Sequence, residues 1–398
     1  MVQSPSAIAE GFFLGNSPRT PFPHGRGGLL LAVCAGLPYT RPMSDSNYDA
    51  VALLSGGLDS ILAVKVVEEQ GLKVKCLHFT SPFFGKPQKV SHMARVHNLD
   101  IQAIDIGQDY VDMIANRPKH GFGKILNPCV DCKILMLRKA RERMEELGAS
   151  MIISGEVVGQ RPMSQRRDAL NLISRDAGVR DVLVRPLTAG RIDPSEAEER
   201  GLIDRSRLRS ISGRGRKDQM ALAKHFGMTE IPTPAGGCML AETESSRRYW
   251  PVLEYSPSPQ AEDFYLANTG RQFWREGYWL AIGRNQGDNK RMESLARPGD
   301  LLFKVAGFPG PLSLGRQFEG KPWPQDIIES AAAFAARFSP KARKHGGPVG
   351  VNVSFEGETS QVTVTPLTLE QDLWLEPQWD DAKAAIQRER QRNGQAEG

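Results

Sequence analysis

The chain has 398 residues, 40% hydrophobic and 24% charged, with a formal net charge of +5. That length exceeds one ordinary core, so two or three domains are expected, and the composition excludes collagen-like and wholly disordered chains. No apolar run approaches the roughly 20 residues of a membrane-spanning helix, and 5 cysteines are too few and too unevenly spaced for a secreted disulfide scaffold, so a reducing, cytoplasmic setting is expected, in which close cysteines signal metal or redox chemistry.

In chain order, residues 1–47 are rich in Pro, Gly and Ser. Arg19 and Arg26 precede the short apolar run Leu29–Val33, a crude imitation of a secretory signal. The stretch is read as an extension without a catalytic role, disordered or an over-long start, with Met43 just before the first convincing strand. From Ala50 the pattern sharpens. Ala50–Leu54 is an apolar run, Ser55–Ser60 a glycine-containing turn, and Ile61–Glu69 has helical spacing. Val74–Phe79 and Ile101–Ile106 read as further strands, with Met93–Asn98 closing a helix between them. After Pro128 and Asp131, Ile134, Leu137, Ala140, Met144 and Leu147 form one apolar helical stripe stopped by Gly148. Met151–Ser154 and Val182–Val184 follow as strands. Strands alternating with helices predict a doubly wound α/β domain with a parallel sheet over residues 48–250.

Residues 161–217 carry the densest charge, 14 Arg or Lys against 8 Asp or Glu. All but one of the cations are Arg, which suits bidentate phosphate contacts better than Lys. Residues 251–262 (PVLEYSPSPQ and two more) read as a linker. Beyond it the grammar changes to a second, smaller α+β domain over 263–398. Tyr278–Ile282, Leu301–Val305, Val349–Val353 and Gln361–Val364 read as short strands, Ile327–Phe338 as a helix, and Ala382–Gly398 as a polar helix fraying into a tail.

Three motifs carry chemistry. The first is Ser55-Gly56-Gly57-Leu58-Asp59-Ser60, between a strand and a helix. Its glycines let backbone N–H groups approach an anion, the helix start adds partial positive charge, and Asp59 can orient a magnesium ion or a donor. No Gly-Lys-Ser/Thr follows, so this is not a Walker loop. The second is Asn127-Pro128-Cys129-Val130-Asp131-Cys132-Lys133, a Cys-x-x-Cys pair at a helix start. It suits a redox pair, half of a zinc site or part of an iron–sulfur site. Cys238, in Pro234-Ala235-Gly236-Gly237-Cys238-Met239-Leu240, is the candidate third thiolate. Cys34 lies in the extension, and Cys76 in a strand pattern that makes it an inert buried thiol. The third is Ser154-Gly155-Glu156-Val157-Val158-Gly159-Gln160 with Ser164-Gln165 and Arg185-Pro186-Leu187. It follows a strand whose C-terminal end faces the nucleotide crevice of such a fold.

The Ser55–Ser60 string resembles the pyrophosphate loop of the ATP pyrophosphatase (PP-loop) superfamily, whose members split ATP into AMP and pyrophosphate and activate a substrate as an adenylate. From Asn127 to Leu187 the chain resembles the adenylating domain of tRNA 4-thiouridine synthases. It is also similar to cluster-dependent 2-thiouridine synthetases, and the resemblance runs over roughly Tyr48–Leu240. It implies an adenine nucleotide α-hydrolase-like fold and an ATP-dependent tRNA sulfurtransferase that adenylates a uridine carbonyl and replaces its oxygen with sulfur. The implied nucleotide-binding residues are Ser55, Gly56, Gly57, Asp59, Ser60, His78, Gly155 and Gln160, with ATP and Mg2+. The implied sulfur-handling residues are Cys129, Cys132 and Cys238, holding a [4Fe–4S] cluster, with zinc or no metal as alternatives. The implied partners are tRNA and a sulfur donor, sulfide or a persulfide carrier, with no membrane; the oligomeric state stays open. The N-terminal RNA-binding module and C-terminal rhodanese-like domain of 4-thiouridine synthases have no counterpart here, so RNA docking and sulfur supply are expected from elsewhere.

Gly283-Arg284-Asn285-Gln286 with Asn289, Pro298–Leu302, Ala331–Ala335 and Pro348–Val351 resemble the NFACT-R domain, an RNA-binding module. Arg284 and Asn285 near Trp274, Tyr278 and Trp279 would combine phosphate contact with base stacking, unless those aromatics form the domain's core. Two other functions compete. An amide-forming PP-loop enzyme would leave the three cysteines idle. A non-catalytic RNA-binding protein related to ribosome rescue would leave the phosphate loop unexplained.

Overall fold

The computed structural model describes residues 48–232, 237–368 and 373–396, with side chains as far as Arg388. The expected N-terminal extension, with Cys34, and the Pro234–Gly236 part of the Gly-Gly turn lie outside the described residues. Strands β1 (Ala50–Leu53), β2 (Val74–Thr80), β3 (Ile101–Asp105), β4 (Met151–Ser154) and β5 (Leu183–Val184) form a parallel sheet in the order β3-β2-β1-β4-β5. Between and after them run α1 (Leu58–Glu68), α2 (Val90–His97), α3 (Gly107–Ala115), α4 (Cys129–Glu146), α5 (Arg167–Asp176), α6 (Glu196–Glu199) and α7 (Lys217–His225).

The alternation of side chains along a strand explains why both faces are covered. Ala50, Ala52 and Leu54 pack with Ile61 and Leu62 of α1 and with Leu222 and Ala223 of α7. Val51 and Leu53 point the other way, toward Tyr110 and Ile114 of α3 and Leu137 and Ala140 of α4. This is the expected doubly wound α/β arrangement. The strand order reverses between β1 and β4, which opens a crevice at their C-terminal ends.

A second layer follows through α8 (Thr243–Tyr255) and α9 (Ala261–Ala267). Strands β6 (Arg271–Arg275), β7 (Tyr278–Ile282), β8 (Leu301–Val305), β9 (Ser313–Arg316), β10 (Val349–Phe355) and β11 (Glu358–Val364) form one antiparallel sheet, ordered β11-β10-β8-β9-β7-β6. Helix α10 (Gln286–Leu295) lies between β7 and β8, α11 (Gln325–Ala336) and α12 (Pro340–His345) between β9 and β10, and α13 (Trp379–Ala396) follows β11. Phe273, Leu280, Phe303 and Val351 pack on Ala331, Phe334 and Ala335 of α11. Trp274, Trp279 and Leu314 face the opposite way and join Tyr249, Val252 and Phe264 of α8 and α9. Phe83 ties this layer to the first sheet, its ring centroid 5.4 Å from Tyr110, 5.2 Å from Tyr249 and 5.0 Å from Phe264.

Two expectations are corrected and one open alternative is decided. The linker is not a linker over its first half: α8 runs through Pro251 to Tyr255, with Val252 and Leu253 buried. Its apolar face is worth more to the fold than the hydrogen bond that proline forfeits. Trp274 and Trp279 are not open to a base. They stack on each other at 5.1 Å between ring centroids, with Trp279 fully buried and donating to Gln272 Oε1 at 2.8 Å. The final helix is more than a polar tail, since Ala382 and Ile386 belong to the core. Strand β9 escaped the sequence reading because it is four residues long and ends in a buried arginine. Arg316 pairs with Asp263 of α9, stands 3.0 Å from Asp300 and donates to Leu295 O at 2.8 Å.

Candidate functional site

The Ser55–Ser60 turn joins β1 to α1 at the reversal point of the sheet. Gly56 has φ +79°, a left-handed turn that favours glycine. Gly57 caps α1 without any side-chain bond. The first-turn N–H groups of Leu58, Asp59 and Ser60 precede any helical acceptor, which suits the start of α1 to an anion. Ser60 Oγ donates to Gly57 O at 2.8 Å and Ser55 Oγ lies 3.3 Å from it. Asp59 accepts from Gln160 Nε2 at 3.1 Å through Oδ2, while its Oδ1 is buried without a partner.

Gly155 belongs to the same floor. A Cβ on it would come within 2.7 Å of Asp59 O, Ser60 Cα and Ser60 N, so only glycine lets β4 end against the loop. His78, expected among the nucleotide ligands, is not one here. Its ring is buried in β2, with Nδ1 at 2.9 Å from Leu54 O and Nε2 accepting from Lys86 N at 3.0 Å. Both nitrogens are spent on backbone beneath the loop.

The cysteine pair opens α4, with Cys129 its first residue. Cys238 reaches the same place from 109 positions later in the sequence. Its neighbours pin it there: Met239 N donates to Phe83 O at 3.0 Å and Leu126 N to Leu240 O at 3.1 Å. Burial pushes the Cys132 thiol up to about 11, partly offset by the Tyr110 hydroxyl. Burial also pushes Cys238 up to about 12, reinforced by Cys132 and opposed by the Leu240 N–H. Tyr110, itself fully buried and raised well above its ordinary value by burial and by the thiols, hydrogen-bonds into this group. The three thiols are thus neighbours. Among the described residues no three His, Cys, Asp or Glu side chains stand so as to hold a metal ion. Cys132 and Cys238 share the Tyr110 hydroxyl as a hydrogen-bond partner, and three such thiols would serve a cluster or a zinc ion as thiolates once the metal displaced their protons. Cys76 is buried in β2, its thiol pushed up to about 12 by burial, as expected of an inert thiol.

One segment touches both centres. Gln160 reaches Asp59, and three residues on Met163 Sδ lies 3.4 Å from Asn127 Nδ2, whose other contact is Cys129 Sγ at 3.1 Å. Beneath it, Glu156 is paired with Arg185 at 3.0 Å, both buried. Burial alone would raise the Glu156 carboxyl, but Arg185 and Lys133 more than offset it and hold it below its ordinary value. Glu156 Oε1 and Gln165 Oε1 remain buried acceptors without donors. The sequence reading gave no role to Tyr110 or Lys133; a lone tyrosine in a helix carries no spacing signal.

Residues 46–191 match the family model described as thiamine biosynthesis protein (ThiI), and residues 270–373 that described as NFACT protein RNA binding domain. An uncharacterized protein of Methanocaldococcus jannaschii is 23% identical over 138 residues, which are 34% of this chain and 48% of that protein. This chain thus spans about half the length of that relative. Among solved structures, the NMN synthetase of Francisella tularensis is 16% identical with a TM-score of 0.30, covering 46% of this chain and 63% of that one. The U34-tRNA thiolase of Methanococcus maripaludis, determined with its [4Fe-4S] cluster, is 13% identical with a TM-score of 0.28, covering 49% and 63%. The C-terminal part of a fibronectin/fibrinogen-binding protein from Streptococcus suis is 13% identical with a TM-score of 0.22, covering 66% and 98%.

Proposed function

We propose that this chain, a ThiI-type PP-loop domain followed by an NFACT RNA binding domain, is an ATP-dependent tRNA sulfurtransferase. ATP lies with its phosphates against Ser55, Gly56, Gly57 and Ser60 at the uncapped start of α1. Asp59 Oδ1, buried and without a donor, fits a cation, and magnesium held there would neutralise phosphate charge. The carbonyl oxygen of a uridine attacks the α-phosphorus, and the bond to pyrophosphate breaks. The loop N–H groups stabilise the departing charge. The carbonyl oxygen is now part of an AMP leaving group. A sulfur nucleophile adds to the same carbon, the carbon–oxygen bond breaks, and thiouridine and AMP result.

Cys129, Cys132 and Cys238 handle the sulfur, which arrives from sulfide or a persulfide carrier. The observation that carries this reading is the single segment from Gln160 to Met163 that contacts Asp59 at one end and, through Asn127, Cys129 at the other. An adenylation site and a thiol group so joined suit activation followed by sulfur delivery. An amide former would have no use for the second centre. The test is pyrophosphate release with and without tRNA, followed by mass analysis of the tRNA nucleosides. Release that needs tRNA and a gain of one sulfur for one oxygen is expected. Release that is indifferent to tRNA, or AMP formation with no sulfur gained, would remove the reading.

A further inference from the structure

The RNA-binding half of the molecule carries no excess of positive charge. Residues 263–398 hold 17 Lys or Arg and 17 Asp or Glu. Residues 161–217 hold 14 against 8, an excess larger than the +5 of the whole chain. A polyanion is drawn to the region with the larger excess of cations, and that region is on the first domain.

The fold gathers them beside the crevice. Ser212 pairs with Val158, and Gly213 N donates to Val158 O at 2.7 Å. That contact sets the segment that leads into Arg214, Arg216 and Lys217 against Val158 and Gly159, just before Arg161, which is one residue past the Gln160 that holds Asp59. Arg161 is close enough to Cys132 to act on its thiol. The row continues through Arg191, whose Nε donates to Ser210 O at 3.1 Å, to Arg167, whose guanidinium donates to Arg191 O. Arg161, Arg214 and Lys217 are exposed and Arg216 half-buried. Among the described residues none of these four side chains has an ion-pair or hydrogen-bond partner, whereas the cations on the outer flank, Arg205 and Arg209, are tied to Glu198 and Glu69. Like charges left unpaired along one edge repel each other and are stabilised by a row of anions.

We infer that Arg161, Arg214, Arg216 and Lys217 form a docking ridge for the sugar–phosphate backbone of RNA, which leads the reacting base into the crevice. The inference rests on the function proposed above. The ridge supplies affinity without sequence preference, since phosphate contacts position a chain and do not read it. The second domain then adds to an RNA grip that the first domain already has.

The test is equilibrium binding of an unmodified tRNA transcript to the full chain over a range of potassium chloride, beside ATP binding by dialysis. For the triple variant Arg161→Gln, Arg214→Gln, Arg216→Gln, tRNA affinity should fall at least tenfold near physiological salt. The slope of log K against log salt should become shallower by roughly two to three, about one for each lost phosphate contact. ATP affinity should stay within about twofold. The corresponding triple Lys variant should keep the wild-type slope. Wild-type tRNA affinity in the Gln variant overturns the ridge, and so does an equal loss in the Lys variant, which would mean lost shape rather than lost charge. Lost ATP affinity with tRNA binding intact assigns the cations to the nucleotide's phosphates and also overturns it. A wild-type protein that binds no tRNA removes the functional reading itself, a distinct result.

Discussion

Gln160 Nε2 donates to Asp59 Oδ2 at 3.1 Å across 101 positions of sequence, leaving Oδ1 of the same carboxylate buried and unpartnered. One oxygen is held by Gln160, and under the function proposed above the other receives a cation or a donor. Asp59→Ala should leave thermal stability nearly unchanged and lower tRNA-dependent pyrophosphate release by about 100-fold or more, the scale of losing one preorganised charge contact. Gln160→Leu should cost about tenfold, because it removes only the orientation. Both are read by pyrophosphate release in single turnover, with ATP binding as the control.

Gly155→Ala adds one methyl group where Asp59 O and the Ser60 backbone stand at 2.7 Å. Backbone cannot swing away as a side chain can. A loss of about 1–3 kcal/mol in unfolding free energy is expected, with weaker ATP binding because the loop is displaced. A variant with wild-type stability and ATP affinity would show that β4 does not end against the loop.

The thiols should respond to pH in a distinct way. With Cys132 raised to about 11 and Cys238 to about 12, both are thiols at neutral pH. Their alkylation, followed peptide by peptide by mass spectrometry, should rise about tenfold per pH unit from pH 7 to 10 without a plateau, because the thiolate is the nucleophile. Tyr110→Phe removes a hydrogen bond that lowers the Cys132 value, so alkylation of Cys132 should slow further. Replacing Cys129, Cys132 or Cys238 by Ser should abolish thiolation, and Cys76→Ser should not.

The Glu156–Arg185 pair gives a stability test with a definite sign. The folded carboxyl lies below its unfolded value, so its contribution is present above the unfolded pKa and is lost as pH falls through the folded one. In Arg185→Met, burial, the largest single influence on Glu156, is opposed only by Lys133 and the Ser154 hydroxyl, and the carboxyl pKa is expected to move above the unfolded value. That protein should be several kcal/mol less stable near pH 7, by about 3–5 for an orphaned buried charge. It should regain part of the loss as pH falls toward 5, the opposite slope to wild type. Urea unfolding at several pH values decides it.

Arg316→Met should be costly for a different reason. Asp263 is fully buried and Asp300 nearly so, and removing the guanidinium leaves them with Arg297 alone, 3.3 Å from Asp263. A loss of about 3–5 kcal/mol is expected in thermal or urea unfolding, with ATP binding retained at any temperature where the chain stays folded.

Local chemistry was readable directly from the residues. The phosphate loop declares itself because the full Ser55–Ser60 string, not its two glycines alone, stands between an apolar strand and a helix, and the parallel sheet follows from strands alternating with helices. The Cys129–Cys132 pair is equally local, three residues apart at a helix start. What those residues meet is not local. Cys238 joins the pair only because the backbone bonds of Met239 and Leu240 to Phe83 and Leu126 hold its segment there, and Tyr110 enters the group from a helix with no motif at all. His78 looked available as a ligand, but burial in β2 turned both its nitrogens onto backbone. Trp274 and Trp279 could have faced RNA or the core. The choice fell to the far side of the second sheet, where α8 and α9 offered an apolar surface that water could not match. Pro251 reads as a chain break in any window of sequence, yet the helix passes through it because Trp250, Val252 and Leu253 are buried on either side. The sequence thus determined which groups can do chemistry. Tertiary packing decided which of them meet, because burial and backbone pairing act between residues that no spacing rule connects.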